Sequence, residues 1–568
     1  MRESLTVNAR DRNRKFHGQT EVFSDSLKSD TVERPSNPVR WLFASEQGPR
    51  NVLLARWLWL RALAGIYFSA FFSLLFQVKG LIGEHGILPA GQTLASIAES
   101  TTSNRLWVAP SLFWISSSTH FIVAVMWIGL LASIAVFFNL WPRLSLLICW
   151  LCFLAFVSSS ADFSSYQSDG MLLEAGFISM FFAPPGLRPG LGVAHPPIRM
   201  SMWLLQWEWF RIYFESGLVK WLSGDIQWRH LTAMDEYYQN GPLPTWIGWY
   251  VQHLPHSFQK ATAAGTLILE LFVVLLFFFP RKWPGGRAVR RALFTIVTLW
   301  QIPVILTANY AFLNYLVLFL GILLLDDRTL ASWIPARYRE RLALPPTDGK
   351  PSEPEPESTT KRALHALKLT LSTLVLTIIA YDTTFELLNI VMPGLPLPSE
   401  PVAILEPFRI ANQYGLFAVM TTGRYEIEFQ GSNDGQNWTA YPFLYKPQAL
   451  DEYPRIYAPY QPRFDWNLWF ASLGDWQQNE IVPLTEERLL DNDADVMTLF
   501  RGNPFAQAPP KYVRAVLWQY WFTTMEEKRA TGNWWKRRLL GLYAPVLMKT
   551  ADGRYGVVQA PEPLPPHT

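Results

Sequence analysis

Nine apolar stretches between residues 53 and 391 constrain this chain more than any other feature. A helix needs about 20 predominantly apolar residues to cross a bilayer. Runs that meet or approach this lie near 53–76, 120–139, 144–161, 203–222, 262–280, 291–308, 310–326 and 369–391. A ninth, 170–184 (GMLLEAGFISMFFAP), is shorter and carries Glu174. It reads as a full span or as a half-span buried in protein. Mean hydropathy is only +0.08, because the residues after about 400 are polar and offset the runs. The predicted fold is a polytopic α-helical membrane bundle of about nine transmembrane helices, followed by a soluble β-sandwich-like domain with helical insertions.

Basic residues orient the bundle, since short Lys/Arg-rich loops stay on the cytoplasmic side. Arg10, Arg12, Arg14 and Lys15 cluster in the N-terminal arm; Arg281, Lys282, Arg287, Arg290 and Arg291 fill one loop. Arg328, Arg337, Arg339, Arg341, Lys361, Arg362 and Lys368 fill another. Nine crossings put all three on one face and everything after 392 on the other; eight would separate the arm from the 281–291 loop. The expectation is therefore a cytoplasmic N-terminus and an exoplasmic C-terminal domain. No apolar segment directly follows the early basic cluster, so the first run reads as an uncleaved signal anchor.

Composition sets the remaining boundaries. Residues 1–50 read as a basic, largely disordered cytoplasmic arm, 51–392 as the bundle, 401–550 as the exoplasmic β-rich domain and 551–568 as a flexible tail. Within the bundle, 345–360 (PPTDGKPSEPEPESTT) lacks the apolar side chains to build a core and reads as a disordered linker. In the soluble part FRIANQ, YGLFAVM, RYEIEFQGS, WTAYPFLYK and KYVRAVLWQYWFTT read as strands. RYEIEFQ alternates with the period of a half-buried strand. FDWNLWFASL and TEERLLDNDADVMTLFRG read as helices.

Candidate chemistry concentrates in WLLQWEWFRIYFESGLVKWLSGDIQW, residues 203–228. Glu208 and Arg211 are spaced i,i+3, and Arg211 and Glu215 i,i+4, so they share a helical face and can pair. Ionisable residues cost about 2.5–3.5 kcal/mol each at a bilayer centre even on the lowest scales, so this face must look into the bundle or a wet cavity. It is either a polar site inside the membrane or an ion-pair ladder that fixes helix packing. Lys220, near the exoplasmic end, serves that site or snorkels. Tyr166, Gln167, Ser168, Asp169 and Glu174 form a second polar cluster, with helix capping by Ser168 or Asp169 the plainer reading. Asn309 and Asn314 lie at a tight turn between two runs and would satisfy backbone groups there.

Other motifs are weaker. Cys149 and Cys152 form a C-x-x-C inside an apolar run without a βαβ pattern, and read as two small apolar residues. His230, Asp235, Glu236, His253 and His256 share one loop, but Pro255 breaks the H-x-x-H and three or four converging ligands are not evident. No metal or cofactor is expected. Asn437-Trp438-Thr439 is an N-glycosylation sequon on the exoplasmic side. A net charge of +3 argues against nucleic-acid binding.

Several longer motifs resemble the lipase maturation factor family. They are SYQSDGMLLEAGF, LLQWEWFRIYFESGLVKWLSGDIQWRHLTAMDEYY, GPLPTWIGWYVQHLP and ILTANYAFLNYLVL, then FRIANQYGLFAVMTTGRYEIEFQGSNDGQNW, QPRFDWNLWFASL and NPFAQAPPKYVRAVLWQYWFT. They fall in order over roughly residues 50–530. The resemblance implies a membrane protein of the endoplasmic reticulum that assists folding and assembly of secreted dimeric lipases. It implies a client contact through 401–550. In a bacterial relative the membrane would be the inner one. IYFESGLVKWLSGDIQW is more distantly similar to the vitamin K-dependent carboxylase group, in which the lysine matching Lys220 acts as a base. GSNDGQNW is similar to discoidin-type β-sandwiches. A membrane enzyme of carboxylase-like architecture, using Lys220 with Glu215 and Arg211, is therefore the alternative to a maturation factor. A transporter rests on the intramembrane charges alone, without inverted repeats.

Overall fold

The computed structural model describes residues 37–101, 104–335 and 359–564. The calls on residues 1–36 and on most of the 345–360 linker lie outside these; residues 38–43, inside the predicted arm, form a short helix. All nine apolar runs are helical. We label them α1 (Leu53–Leu75), α2 (Thr119–Phe137), α3 (Pro142–Val157), α4 (Gln167–Phe182), α5 (Arg199–Leu222), α6 (His256–Leu271), α7 (Gly286–Thr307), α8 (Leu313–Leu320) and α9 (Thr359–Val391). Among the described residues, five helical stretches are long and apolar enough to cross a membrane: Leu53–Leu75, Thr119–Phe137, His256–Phe278, Gly286–Thr307 and Arg362–Val391. Pro142–Val157 and Leu313–Leu324 are apolar but shorter. α4 has 16 residues, about 24 Å at 1.5 Å each, and α5 is interrupted by charges.

The helices run between two distinct ends of the bundle. At the basic end, the Asp327 carboxylate accepts from the backbone N–H groups of Leu53, Leu54 and Ala55 (2.8, 2.9 and 3.2 Å). It thereby satisfies donors that the first turn of α1 leaves without partners. Arg281 donates to the carbonyls of Leu323 and Leu324. Arg56 and Arg143 close the C-terminal end of α4 through the carbonyls of Phe182 and Ala183. At the other end Gln77, just past α1, and Asn309, just past α7, both bond the C-terminal domain.

That domain carries one antiparallel sheet of six strands: β1 (Arg424–Ser432), β2 (Thr439–Ala440), β3 (Tyr512–Phe522), β4 (Trp535–Leu542), β5 (Val546–Lys549) and β6 (Tyr555–Gln559). The order is β2-β1-β3-β5-β6, with β4 also on β3. β1 pairs with β3 from Arg424↔Tyr520 to Ser432↔Tyr512. Tyr425, Ile427 and Phe429 alternate onto a face filled by Phe464 and Leu468 of α10 (Arg463–Ala471). α11 (Ile481–Leu490) packs on β3.

Three expectations are corrected here. Among the described residues there is one sheet, not a two-sheet sandwich, and helices α10 and α11 cover the face a second sheet would cover. FRIANQ and YGLFAVM are not strands. Their backbone N–H groups are spent on bundle side chains: Asn412 on Glu174, Tyr414 on Glu215, Gly415 on Gln167 and Met420 on Asp225. The tail call from 551 also fails over Tyr555–Gln559, which pair with β5 as a sheet edge.

Asp465, in α10, is fully buried; its carboxylate accepts from the backbone N–H groups of Tyr445 and Lys446 (3.3 and 3.0 Å). Burial outweighs these bonds and the nearby Lys446 ammonium, and pushes its pKa from 3.8 up to about 6. Between those values the folded state keeps a proton that the unfolded state releases. This contribution to stability therefore falls as pH rises through the window, by up to about 1.4 kcal/mol per pH unit. Asp465→Asn is expected to flatten that slope, measured as thermal unfolding of the purified chain at several pH values from 4 to 6. A slope unchanged by the substitution would assign the pH dependence to other groups.

Candidate functional site

Arg211 and Glu215 share a face of α5, as their spacing requires, with Arg211 Nη1 3.6 Å from Glu215 Oε1. The closer partner of Arg211 is Glu174 of α4, held in a charged hydrogen bond. All three side chains are buried. The polar group they face is the chain that enters from the C-terminal domain. Arg211 Nη1 donates to the Asn412 carbonyl (2.7 Å), and Glu174 Oε2 accepts from the Asn412 N–H (2.9 Å). Glu215 Oε2 accepts from the Tyr414 N–H (2.7 Å). Asn412 Nδ2 donates to the Gly170 carbonyl (3.0 Å). A Cβ at Gly170 would stand 2.5 Å from Asn412 Oδ1, so only glycine admits this approach. Arg211 and the two glutamates thus form a receptor for the peptide backbone of 412–414.

Glu208 departs from the expected i,i+3 pair with Arg211. It is buried, and neither of its carboxyl oxygens has a hydrogen-bond partner. The Arg211 fork is occupied by Glu174 and the Asn412 carbonyl instead.

Asp169 is not a helix cap. Its two oxygens take a fork from Arg463 of α10 at 2.7 and 2.8 Å, with both side chains fully buried. Arg463 Nη1 also donates to the Phe163 carbonyl, and the guanidinium lies 4.8 Å from the Phe156 ring centroid. The Arg463 backbone N–H donates to Gln77 Oε1 (2.7 Å). Asn309 does satisfy backbone groups, but mainly those of the C-terminal domain. Its Oδ1 accepts from Tyr457 and Ala458 N–H (2.7 and 3.0 Å), and its Nδ2 donates to the Arg455 and Leu243 carbonyls. Of the polar cluster read as intramembrane, Asp169, Glu174, Arg211, Glu215 and Asn309 are therefore sockets for the C-terminal domain and the segment that leads into it.

Lys220 lies apart from that set. It is 5% exposed, so it does not snorkel to the surface. Its Nζ donates to Glu270 of α6 at 2.9 and 3.2 Å, and to the Ser216 hydroxyl. Those bonds occupy the ammonium as a donor, whereas a general base would present a free lone pair. A Cβ at Gly217 would fall 2.9 Å from Glu270 Cβ, so glycine sets the close approach of α5 and α6 here. The pair forms part of the wall of a cavity of about 360 Å³ between α5, α6, α7 and α8. Tyr213, Gln301 and Asn314 run along it as a hydrogen-bonded chain: Tyr213 Oη donates to Gln301 Oε1 (2.7 Å) and Gln301 Nε2 to Asn314 Oδ1 (2.9 Å).

The loop histidines do not converge. His253 sits between the Trp249 and Thr523 carbonyls, and exposed His256 contacts Asp235 at 2.8 Å. Among the described residues no group of three or more His, Cys, Asp and Glu side chains could hold a metal ion. Cys149 and Cys152 are buried in α3 and unbridged. Asn437 is exposed in the β1–β2 turn, with Nδ2 donating to Asp434. Sequence reasoning missed Arg463, Asn412, Gln77 and Glu270. Arg463 and Asn412 lie in stretches that read as soluble, where a polar residue raises no signal. Glu270 is a lone carboxylate in an apolar run, the kind of intramembrane charge that calls for a partner.

Comparisons with known proteins agree with this two-part architecture. A family model described as lipase maturation factor transmembrane domain matches residues 54–332, and one described as lipase maturation factor C-terminal domain matches 410–545. Lipase maturation factor 2 of Gallus gallus is 30% identical, the match covering 88% of this chain and 82% of that protein. Lipase maturation factor 1 of Bos taurus is 30% identical over 90% of this chain and 92% of that protein. Lipase maturation factor 2 of Homo sapiens is 29% identical over 87% and 82%. No solved structure matches. With apolar helices long enough to span, and both family domains present in order over most of its length, this chain is an integral membrane protein of the lipase maturation factor family.

Proposed function

We propose that this chain assists folding and assembly of secreted lipases from within the membrane, with its C-terminal domain as the client-facing part. The observation that carries the reading is the ordered match of both domains to proteins named lipase maturation factors. In this reading α1 to α9 cross the membrane nine times, with the N-terminus cytoplasmic and the C-terminal domain exoplasmic. The alternation of the nine helices between a basic end and a domain end supports it. So does the position of Arg281 and Arg287 at the same end as Asp326 and Asp327. The membrane is that of the endoplasmic reticulum in a eukaryotic host and the plasma membrane in a bacterial one.

The client surface is sought on the outer strands. β6 is a sheet edge with Val557 and Val558 exposed, and Leu539 on β4 is exposed as well. An apolar edge with unpaired backbone groups is a template for another chain. Removing 401–568 outright would also strip Asn412, Tyr414 and Arg463 from buried carboxylates of the bundle, so surface substitutions test client contact more cleanly. Leu539→Glu with Val557→Glu is expected to lower the activity of a co-expressed secreted lipase about ten-fold, the effect of about 1.4 kcal/mol of lost contact. Unchanged lipase activity together with unchanged co-purification would refute this surface.

A further inference from the structure

The cavity beside Lys220 is walled by α5 to α8 and by Tyr414, Leu416 and Phe417 of the segment that joins the bundle to the C-terminal domain, and its walls have the chemistry of a ligand site. We propose that it binds one uncharged membrane lipid, with a hydroxyl or carbonyl head at Asn314 and the Lys220–Glu270 pair and an apolar body between α6 and α7.

Size and lining set the class of occupant. A volume of about 360 Å³ falls in the range of small-molecule pockets. Filled with solvent it would hold about a dozen waters at about 30 Å³ each, every one needing two to four polar partners. Most of the wall cannot supply them: Trp228, Tyr237, Phe258, Trp300, Val304 and Phe417 present rings and methyl groups. An apolar body fits such walls better than water does.

The polar groups of the wall are linked in pairs, Lys220 with Glu270 and Asn314 with Gln301. Lys220 lies two residues from the end of α5, and Asn314 is the second residue of α8. Lys220 and Glu270 neutralise each other at 2.9 Å. An anionic head would have to displace Glu270, and a cationic one would have to displace Lys220. Asn314 supplies the specific demand. It is 9% exposed, its Oδ1 is taken by Gln301, and its Nδ2 is a buried donor without a hydrogen-bond partner. A buried donor left alone costs about 1–3 kcal/mol, which an ester, carbonyl or hydroxyl oxygen of a ligand would recover.

The way in lies between two helices whose outer faces are open. Phe258 and Thr262 of α6, with Trp300 and Pro303 of α7, belong to the wall, and Phe258, Ile302 and Leu306 are exposed. Both helices are long and apolar enough to cross a membrane, so acyl chains would surround this mouth. At Gly265 a Cβ would stand 2.9 Å from the Trp300 ring, so the absent side chain makes room for the indole that shapes the entrance.

The test uses the full chain, purified and reconstituted in phosphatidylcholine vesicles with a diazirine-bearing monoacylglycerol. Peptides from α6 and α7 should be photolabelled, and excess untagged monoacylglycerol should compete. Thr262→Trp, which closes the mouth, should cut that labelling about ten-fold while leaving labelling of the exposed face of α2 (Trp127, Ile128, Leu131) unchanged. Asn314→Leu should weaken labelling by the monoacylglycerol probe about five-fold, one hydrogen bond's worth, and spare a diazirine hydrocarbon of equal length. Both variants are to be compared with the parent by size-exclusion elution, and only monodisperse material is labelled. Labelling of α6 and α7 that ignores Thr262→Trp in folded protein would overturn the site. Equal or stronger labelling by a diazirine fatty acid, whose head is anionic, would overturn the uncharged head.

Discussion

Arg211→Met should unfold the junction between the bundle and the C-terminal domain. The substitution keeps an unbranched apolar stem and removes the guanidinium. Glu174 and Glu215 would then face one another across a buried space with no cation, and Glu208 lies nearby. The Asn412 carbonyl would also lose its donor. Removing one partner of a buried ion pair costs about 3–5 kcal/mol, because the survivor stays buried and uncompensated. Here two carboxylates lose the same partner, so the upper end of that range applies. That is comparable to the whole stability of a typical domain. The expected readout is loss of the monodisperse peak in detergent, with new protease cleavage near 409–423. Arg211→Lys should rescue only in part. A lysine restores charge but cannot fork between Glu174 and the Asn412 carbonyl. A triple variant, Arg211→Met with Glu174→Gln and Glu215→Gln, should be more stable than Arg211→Met alone, because its amides carry no charge to strand. If the single and triple variants unfold alike, the charge argument is wrong and packing of the arginine stem dominates.

The second large effect is expected at Arg463. Arg463→Leu strands Asp169, which is fully buried and has the Arg463 fork as its side-chain ion pair. About 3–5 kcal/mol should be lost again, but the failure should be local. α10 would lift from the bundle while the sheet it packs on keeps its own core of Ile427, Phe429 and Leu517. Hydrogen exchange should therefore rise in 159–170 and 459–475 and stay low in β1 and β3. Adding Asp169→Leu should return most of the lost stability, since two apolar residues leave no buried charge. Global loss of protection in the single variant would show that the sheet cannot stand without this contact.

Much of the architecture was legible from residue pattern. Hydrophobic runs are a one-dimensional signal, and each of the nine is helical, the conformation in which an apolar segment satisfies its own backbone. RYEIEFQGS and KYVRAVLWQYWFT read as strands by alternation and propensity, and they pair with each other along nine residues. FDWNLWFASL became α10. Local pattern misled at FRIANQ and YGLFAVM, whose apolar content suits a strand. What decides their conformation is the set of carboxylates that take their N–H groups, and those carboxylates lie about 200 or more residues earlier, as Glu174 does from Asn412 and Glu215 from Tyr414. β4 was missed because Lys536, Arg537 and Arg538 hide its pattern. Arg537 is there to meet Glu428 across the sheet at 3.3 Å.

Sequence alone determined that this chain is a membrane bundle with a folded domain after it, and that Arg211, Glu215 and Lys220 must turn away from lipid. Those conclusions follow from transfer free energies and helical spacing, which act on a residue wherever the rest of the chain lies. Tertiary structure decided what the charges turn toward. Spacing presents Arg211 to Glu215, but Glu174 and the backbone of 412 hold it more closely; Asp169 waits at a helix start for Arg463, 294 residues further on. Lys220 looked like the most reactive member of one cluster and belongs to another, paired with Glu270 beside a cavity. A buried charge announces that it has a partner. Which partner depends on how the helices and the domain pack, and only the folded chain contains that.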